Sequence, residues 1–300
     1  MKFKEIKFNQ EPSDQQKTKL VTKKIHNFEF LLDLESEGIS RPLFYEGFRE
    51  RVFMSLLYNE VSEGDVCIDL GSNIGFTTLF MCEQVGKSGK VYAIEPDPWN
   101  VKMLTENVNR NNFQDNTTIY DIAISDKEGE IEFWQSTKSN LSSVQKTKHS
   151  TKSIKVKAHS LETFLKDKDY PNFIKMDIEG HEVKVFEGGL EYFKNNNKGT
   201  TRILLEVHPQ FYDESNDFEK VLKEYFKIGF KPKFVVSTPV PRPQKFIDAG
   251  YTPLAEIPTD GFLRGLYGPI SEEHLLEFAC RENIEGTSKK IVRSFMLERP

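Results

Sequence analysis

Two glycines directly after a short apolar run, and a glutamate closing the next such run, are the residues whose spacing points first to chemistry. Val66-Cys-Ile-Asp69-Leu runs into Gly71-Ser72-Asn73-Ile-Gly75-Phe, the pattern of a strand turning into a helix. Glycine lets the backbone pass close to a ligand, and the start of the helix presents unpaired N–H groups. Such a turn can hold the polar amino-acid end of a nucleoside cofactor. A bare strand-to-helix connection would explain the glycines alone, but Val91-Tyr-Ala-Ile-Glu95-Pro96 adds a carboxylate that can accept from both hydroxyls of a ribose. Nicotinamide-binding folds place an acid similarly, about 20 residues past their glycine motif. Those folds want G-x-G-x-x-G to seat a pyrophosphate, whereas Asn73 stands where the second glycine belongs. Asp69 repels phosphate and suits a cationic amino or sulfonium group.

The surrounding elements alternate strand and helix. Apolar runs at 66–70, 91–94, 118–124, 173–178 and 203–207 read as strands, and helix faces recur at Phe76, Leu79 and Phe80, at Val101, Leu104 and Val108, and at Val183, Phe186, Leu190 and Phe193. Asp97-Pro98 reads as an N-cap with proline at the first helical position. Short buried strands linked by helices favour a parallel α/β sheet with the ligand at the strands' carboxyl ends. Ile131–Trp134 and Ile154–Ala158 read as extra strands flanking a Ser/Thr/Lys-rich loop, and Phe262–Tyr267 as the last strand. Residues 1–24 are expected to form a flexible arm and 25–60 a hairpin and helix, with the hairpin turning at Ser36–Gly38. Residues 61–300 form the catalytic domain, and the Pro-rich 238–253 a loop or lid.

Forty-six acidic against 41 basic residues give a net charge of −5, which offers no global attraction for nucleic acid or an anionic membrane. Three distant cysteines argue against a disulfide framework or zinc knuckle and for a cytoplasmic chain. No apolar run reaches membrane-spanning or signal-peptide form, so membrane insertion is not expected. His26, His149, His159 and His274 read as surface or turn histidines, Trp99 and Trp134 as packing, and the lysines at 138–157 as a solvated loop.

Three segments resemble the FkbM family of class I methyltransferases: Asp65 to Gly75 with Glu95-Pro96, Ala123-Ile-Ser-Asp126 with Gly129, and Ile174-Lys-Met-Asp177-Ile-Glu179-Gly180-His181-Glu182. The likeness spans roughly Phe44 to Pro209, with Leu205-Glu206-Val-His208 fitting a fifth strand. His181 departs from the family, where a small residue such as Ala is expected. The resemblance implies a Rossmann-like, seven-stranded α/β methyltransferase sheet with helices on both faces. It implies S-adenosylmethionine as donor and, commonly, O-methylation of a hydroxyl on a sugar, glycan or small metabolite. By position, Asp69, Gly71, Ser72, Asn73 and Gly75 would line the methionine end of the donor, Glu95 and Pro96 the ribose, and Asp121, Ile122 and Ala123 the adenine.

Methyl transfer needs an acceptor oxygen aligned with the sulfonium methyl and, for an alcohol, a place for its proton. Asp177, His181, Glu206 and His208 follow the fourth and fifth strands, and Glu206 and His208, two apart, face one side of theirs. Two mechanisms stay open. His208 or His181 acts as general base, or Asp177, Glu206 and His208 bind a divalent cation, which is not expected to be required. Glu182 is read as a favourable acid at a helix start. The expected partner is a small-molecule or carbohydrate acceptor, with homo-oligomers compatible. A NAD-dependent oxidoreductase and a non-catalytic donor-binding adaptor are the alternatives.

Overall fold

The computed structural model describes residues 20–136, 138–238, 243–259, 261–281 and 291–300. The expected arm lies outside the described residues up to 19. Its last five residues instead belong to β1 (Leu20–Ile25), which pairs antiparallel with β2 (Phe28–Asp33). The hairpin therefore turns at His26-Asn27, with His26 in the left-handed region at φ 54°, and not at residues 36–38. Two central residues suffice where one tolerates positive φ. The segment expected as the second strand is a helix, α1 (Ser40–Glu46). Pro42 sits in its first turn, where no N–H is needed.

Chain contacts divide the molecule into two compact units, one running to Ala123 and resuming over Gly129–Ala158, the other made of Ile124–Glu128 and His159–Pro300. The first continues with α2 (Arg51–Glu60), β3 (Val66–Leu70), α3 (Phe76–Val85), β4 (Lys90–Ile94), α4 (Pro98–Arg110) and β5 (Thr117–Tyr120). Strands β5, β4 and β3 pair in parallel in that order. The third expected strand, 118–124, is broken: Asp121 and Ile122 interrupt it and β6 (Ala123–Ser125) follows. An antiparallel pair, β7 (Gly129–Ser136) and β8 (Ser150–Ser160), flanks the Ser/Thr/Lys-rich loop as expected.

Packing in this unit fixes the glycine turn. Phe28 of the hairpin meets Phe80 of α3 edge to face, ring centroids 4.9 Å apart, and Phe76 meets Phe80 at 5.4 Å. Each fully buried Phe contributes roughly 1.5–3 kcal/mol, so the hairpin anchors the helix that opens directly after Gly75. Asn107 of α4 completes the link, its Oδ1 accepting from Leu31 N–H at 2.7 Å and its Nδ2 donating to Ile74 O at 2.8 Å.

The second unit holds α5 (Leu161–Leu165), β9 (Phe173–Met176), α6 (Glu182–Asn195), β10 (Thr201–Glu206), α7 (Phe218–Lys227), β11 (Lys231–Ser237), α8 (Gln244–Asp248), β12 (Ala255–Thr259), β13 (Phe262–Tyr267), α9 (Glu272–Leu276) and β14 (Val292–Arg299). Its strand order is β9-β10-β14-β11-β13-β12. Only β9 and β10 are parallel; β14 lies antiparallel between β10 and β11. Phe262–Tyr267 is thus not the last strand, and the β12–β13 hairpin exceeds the seven strands that the resemblance implies. The local alternation of β14, Val-Arg-Ser-Phe-Met-Leu-Glu-Arg, is too imperfect to announce a central strand, because both of its faces are covered. The expected lid is in part helix α8, while 239–242 lie outside the described residues. Phe218, Val221, Leu222, Tyr225 and Phe226 form the buried stripe of α7, and the Tyr225 hydroxyl donates to Phe186 O of α6 at 3.0 Å.

Candidate active site

The chain enters the turn after β3 through three left-handed residues, Gly71, Asn73 and Gly75, at φ 75°, 49° and 93°. Asparagine tolerates that region better than most side chains, so Asn73 can stand where a dinucleotide motif has glycine. Its Oδ1 accepts from Ile74 N–H at 3.0 Å. Gly71 and Ser72 donate their N–H groups to Ile94 O, both at 3.1 Å, which binds the turn to the end of β4 and so to Glu95.

Glu95 is buried. Its Oε2 accepts from Asn73 N–H at 2.9 Å, while Oε1 accepts from Asp97 N–H at 2.9 Å and Asn100 Nδ2 at 3.2 Å. Burial nevertheless pushes its carboxyl up to about 7, outweighing those bonds. Each carboxylate oxygen accepts about two hydrogen bonds, so Oε1 is filled and Oε2 keeps one place for a hydroxyl donor. Asp97 also caps α4, accepting from Trp99 and Asn100 N–H, and takes a bond from Gln135 Nε2 at 2.8 Å.

Asp69 lies beneath the turn. Fully buried, its Oδ2 accepts from the hydroxyls of Thr77 and Thr78, both at 2.7 Å, and this joins the end of β3 to the first turn of α3. The buried Ser72 hydroxyl donates to Asp69 O at 2.7 Å. Pro96 is half-buried, Asp121 is exposed at the break after β5, and Ile122 and Ala123 are buried beside it.

In the second unit, the ends of β9 and β10 and the start of α6 gather a separate set of ionisable groups around His208. Its Nδ1 lies 2.8 Å from Glu182 Oε1, and its Nε2 lies 3.2 Å from Glu179 Oε2, 3.4 Å from Glu206 Oε1 and 4.0 Å from Asp177 Oδ1. Burial alone would lower the imidazole pKa; the carboxylates of Glu182 and Glu179 overcome it and hold His208 well above its ordinary value. Glu182 is lowered in turn, burial being outweighed by His208 and its hydrogen bonds. Glu182 Oε1 also accepts from Gly180 N–H at 3.0 Å and Oε2 from the Tyr212 hydroxyl at 3.3 Å. It is the first residue of α6 as well as the carboxylate that sets the His208 ring, a second role that spacing does not reveal.

Backbone strain accompanies this arrangement. Glu179 has φ 53° and Gly180 φ 103°, and a Cβ on Gly180 would lie 2.3 Å from the Phe211 ring. Strained non-glycine residues concentrate at functional sites. Asp177, Glu206 and His208 each offer one atom within 4.8 Å of the others, a set able to hold a metal ion. Arg293 of β14 also reaches Glu206 through Nη1, a partner that the sequence alone did not suggest. His181 is set apart from the other three: its buried ring places Nε2 2.9 Å from Ser125 Oγ, and burial lowers its pKa.

A family model described as the methyltransferase FkbM domain matches residues 69–232. The chain belongs to the FkbM family of methyltransferases. It is similar to the hexuronic acid methyltransferase AglP of Haloferax volcanii, 31% identical over 179 residues that cover 58% of this chain and 68% of the relative. A solved FkbM methyltransferase from Methylobacillus flagellatus is 16% identical, with TM-score 0.39, covering 68% of this chain and 43% of that one. The M. jannaschii TYW2 complex with AdoMet is 14% identical, with TM-score 0.46, covering 95% and 89%. This FkbM member is an S-adenosylmethionine-dependent methyltransferase, and the nicotinamide reading falls. The residues present fit that donor: buried Glu95 keeps a place on Oε2 for a hydroxyl, and Asn73 stands where a dinucleotide motif has glycine. All three cysteines are buried free thiols, and no described helix is long and apolar enough to cross a membrane.

Proposed function

We propose that this FkbM methyltransferase methylates a hydroxyl oxygen of a hexuronic acid or a closely related sugar. The sugar class rests on the Haloferax relative, whose name gives hexuronic acid as its acceptor. The observation that carries the reaction is the cluster at His208, where one imidazole is held among Asp177, Glu179, Glu182 and Glu206.

When bound, S-adenosylmethionine supplies a methyl carbon on a cationic sulfur. The turn Gly71–Gly75 would hold its amino-acid end, and Glu95 Oε2 would accept from one ribose hydroxyl. Asp69 helps to keep the turn in shape through Thr77 and Thr78. The cluster around His208 would take the proton of the acceptor hydroxyl that receives this methyl.

Within that cluster, His208 is poorly placed to be the base. Both of its ring nitrogens face carboxylate oxygens, and between two lone-pair-bearing atoms only a proton or a cation can lie. Glu179, partly exposed and held by a strained backbone, is the carboxylate that receives the hydroxyl proton, and His208 positions the acids around it. His181 is left a positioning role toward Ser125.

The test is incubation of the purified chain with donor and a panel of hexuronates and neutral hexoses, following S-adenosylhomocysteine and the mass of the sugar. Gain of one methyl on hexuronates alone is expected. Absence of product from every hydroxylated sugar, in a protein that binds the donor, would overturn the assignment.

A further inference from the structure

We propose that Asp177, Glu206 and His208 form a divalent metal site, and that the ion it holds receives the acidic sugar. The inference rests on the reading of a hexuronate acceptor given above.

Geometry is the first support. Metal–ligand bonds to imidazole nitrogen and carboxylate oxygen of about 2.0–2.2 Å place two ligands of one ion roughly 3–4.4 Å apart. His208 Nε2 stands 3.4 Å from Glu206 Oε1 and 4.0 Å from Asp177 Oδ1, both inside that range, and the three residues each offer one ligand atom within 4.8 Å of the others. His208 is 3% exposed, and its Nδ1 is bound to a Glu182 carboxylate that is itself fully buried. Carboxylate–imidazole–metal relays use this arrangement to fix which nitrogen meets the ion.

Strand register explains why these groups meet. Strands β9 and β10 are parallel, with Met176 paired to Leu205, so the next residue of each, Asp177 and Glu206, brings a carboxylate to the same end of adjacent strands. Like charges side by side on neighbouring strands are destabilising. Arg293 offsets part of that cost at Glu206, and a cation shared with Asp177 would offset more.

Charge complementarity supplies the function. A hexuronate is an anion, and four carboxylates outnumber the cationic groups among them, His208 and Arg293, so the cluster would repel it. A divalent ion reverses the local sign and offers open positions to a sugar carboxylate and a neighbouring hydroxyl, lowering the pKa of the latter. Two carboxylate oxygens with one imidazole nitrogen suit Mn²⁺, Fe²⁺ or Zn²⁺ better than Mg²⁺.

The experiment is titration of chelator-stripped protein with Mn²⁺, read by loss of the free-ion paramagnetic resonance signal, alongside calorimetric titration with S-adenosylmethionine. One saturable Mn²⁺ per chain is expected, weakened about tenfold or more in Asp177→Asn, a same-shape change at the least buried ligand. Circular dichroism checks the fold of the variant, and a Mn²⁺-dependent rise in the melting temperature of the unaltered protein gives a readout that needs no variant. No saturable uptake, or equal uptake by folded Asp177→Asn, overturns the site. A stripped sample that binds donor but no Mn²⁺ overturns the metal site alone. One that binds Mn²⁺ through Asp177 but no donor upholds the site and counts against the methyl-transfer reading.

Discussion

Glu95 makes donor binding pH-dependent, with a sign and size that follow from its surroundings. In the free protein, burial pushes its carboxyl from 4.5 up to about 7. A ribose hydroxyl donating to Oε2 favours the charged form, so binding draws the pKa back down and releases a proton. Affinity therefore rises with pH until about 7 and levels off above it. If the bound carboxyl returns fully to its ordinary value, affinity at about pH 6 is roughly tenfold below that at about pH 8, or about 1.4 kcal/mol. The amino group of the donor titrates in the same range, so the clean ligand is methylthioadenosine, which keeps the ribose and lacks the amino acid. Calorimetry in buffers of different ionisation enthalpy would report the proton release near neutral pH directly. In Glu95→Gln the tenfold slope should vanish along with much of the affinity. A flat profile in the unaltered protein, or an unchanged slope in the Gln variant, would refute the assignment of a ribose hydroxyl to this carboxylate.

Other outcomes follow from the same contacts. Asp69→Ala removes the acceptor of two buried hydroxyls and should cost about 3 kcal/mol in urea unfolding, with weaker donor binding; unaltered stability would show that the two bonds do not hold the turn. Gly180→Ala sets a methyl 2.3 Å from the Phe211 ring on a left-handed backbone, and a loss of about 2–4 kcal/mol is expected on thermal unfolding. His208→Ala should lower kcat by about ten- to a hundredfold, the effect of losing a group that orients others, while donor affinity stays within about twofold; full turnover would remove the cluster from the reaction. Glu182→Gln should lower kcat less than His208→Ala does and leave the KM for donor unchanged, the pattern of a residue that acts through its neighbour.

Much of the turn after β3 and its link to Glu95 was legible in the chain because its information is local. A five-residue strand, two glycines at fixed spacing and an acid ending the next strand are properties of consecutive residues, and Asp97-Pro98 announced the helix that it caps. The FkbM likeness came from three such segments for the same reason. What local pattern could not reveal was the partner of each polar group. Asp69 sits beside the glycines in sequence, yet folding turns its side chain to Thr77 and Thr78. Glu182 shows as a helix-start acid, and only the packing of α6 against the end of β10 brings it to His208 Nδ1. His181 and His208 are equally conspicuous as histidines, but the fold sends the first to Ser125 and the second among four carboxylates. Arg293 joins Glu206 because β14, the last segment of the chain, pairs beside β10. Sequence thus determined which chemical groups this protein possesses and the turns that carry them. Tertiary structure decided which of those groups meet, since strand order and register are set by burial of whole faces rather than by any residue near the site.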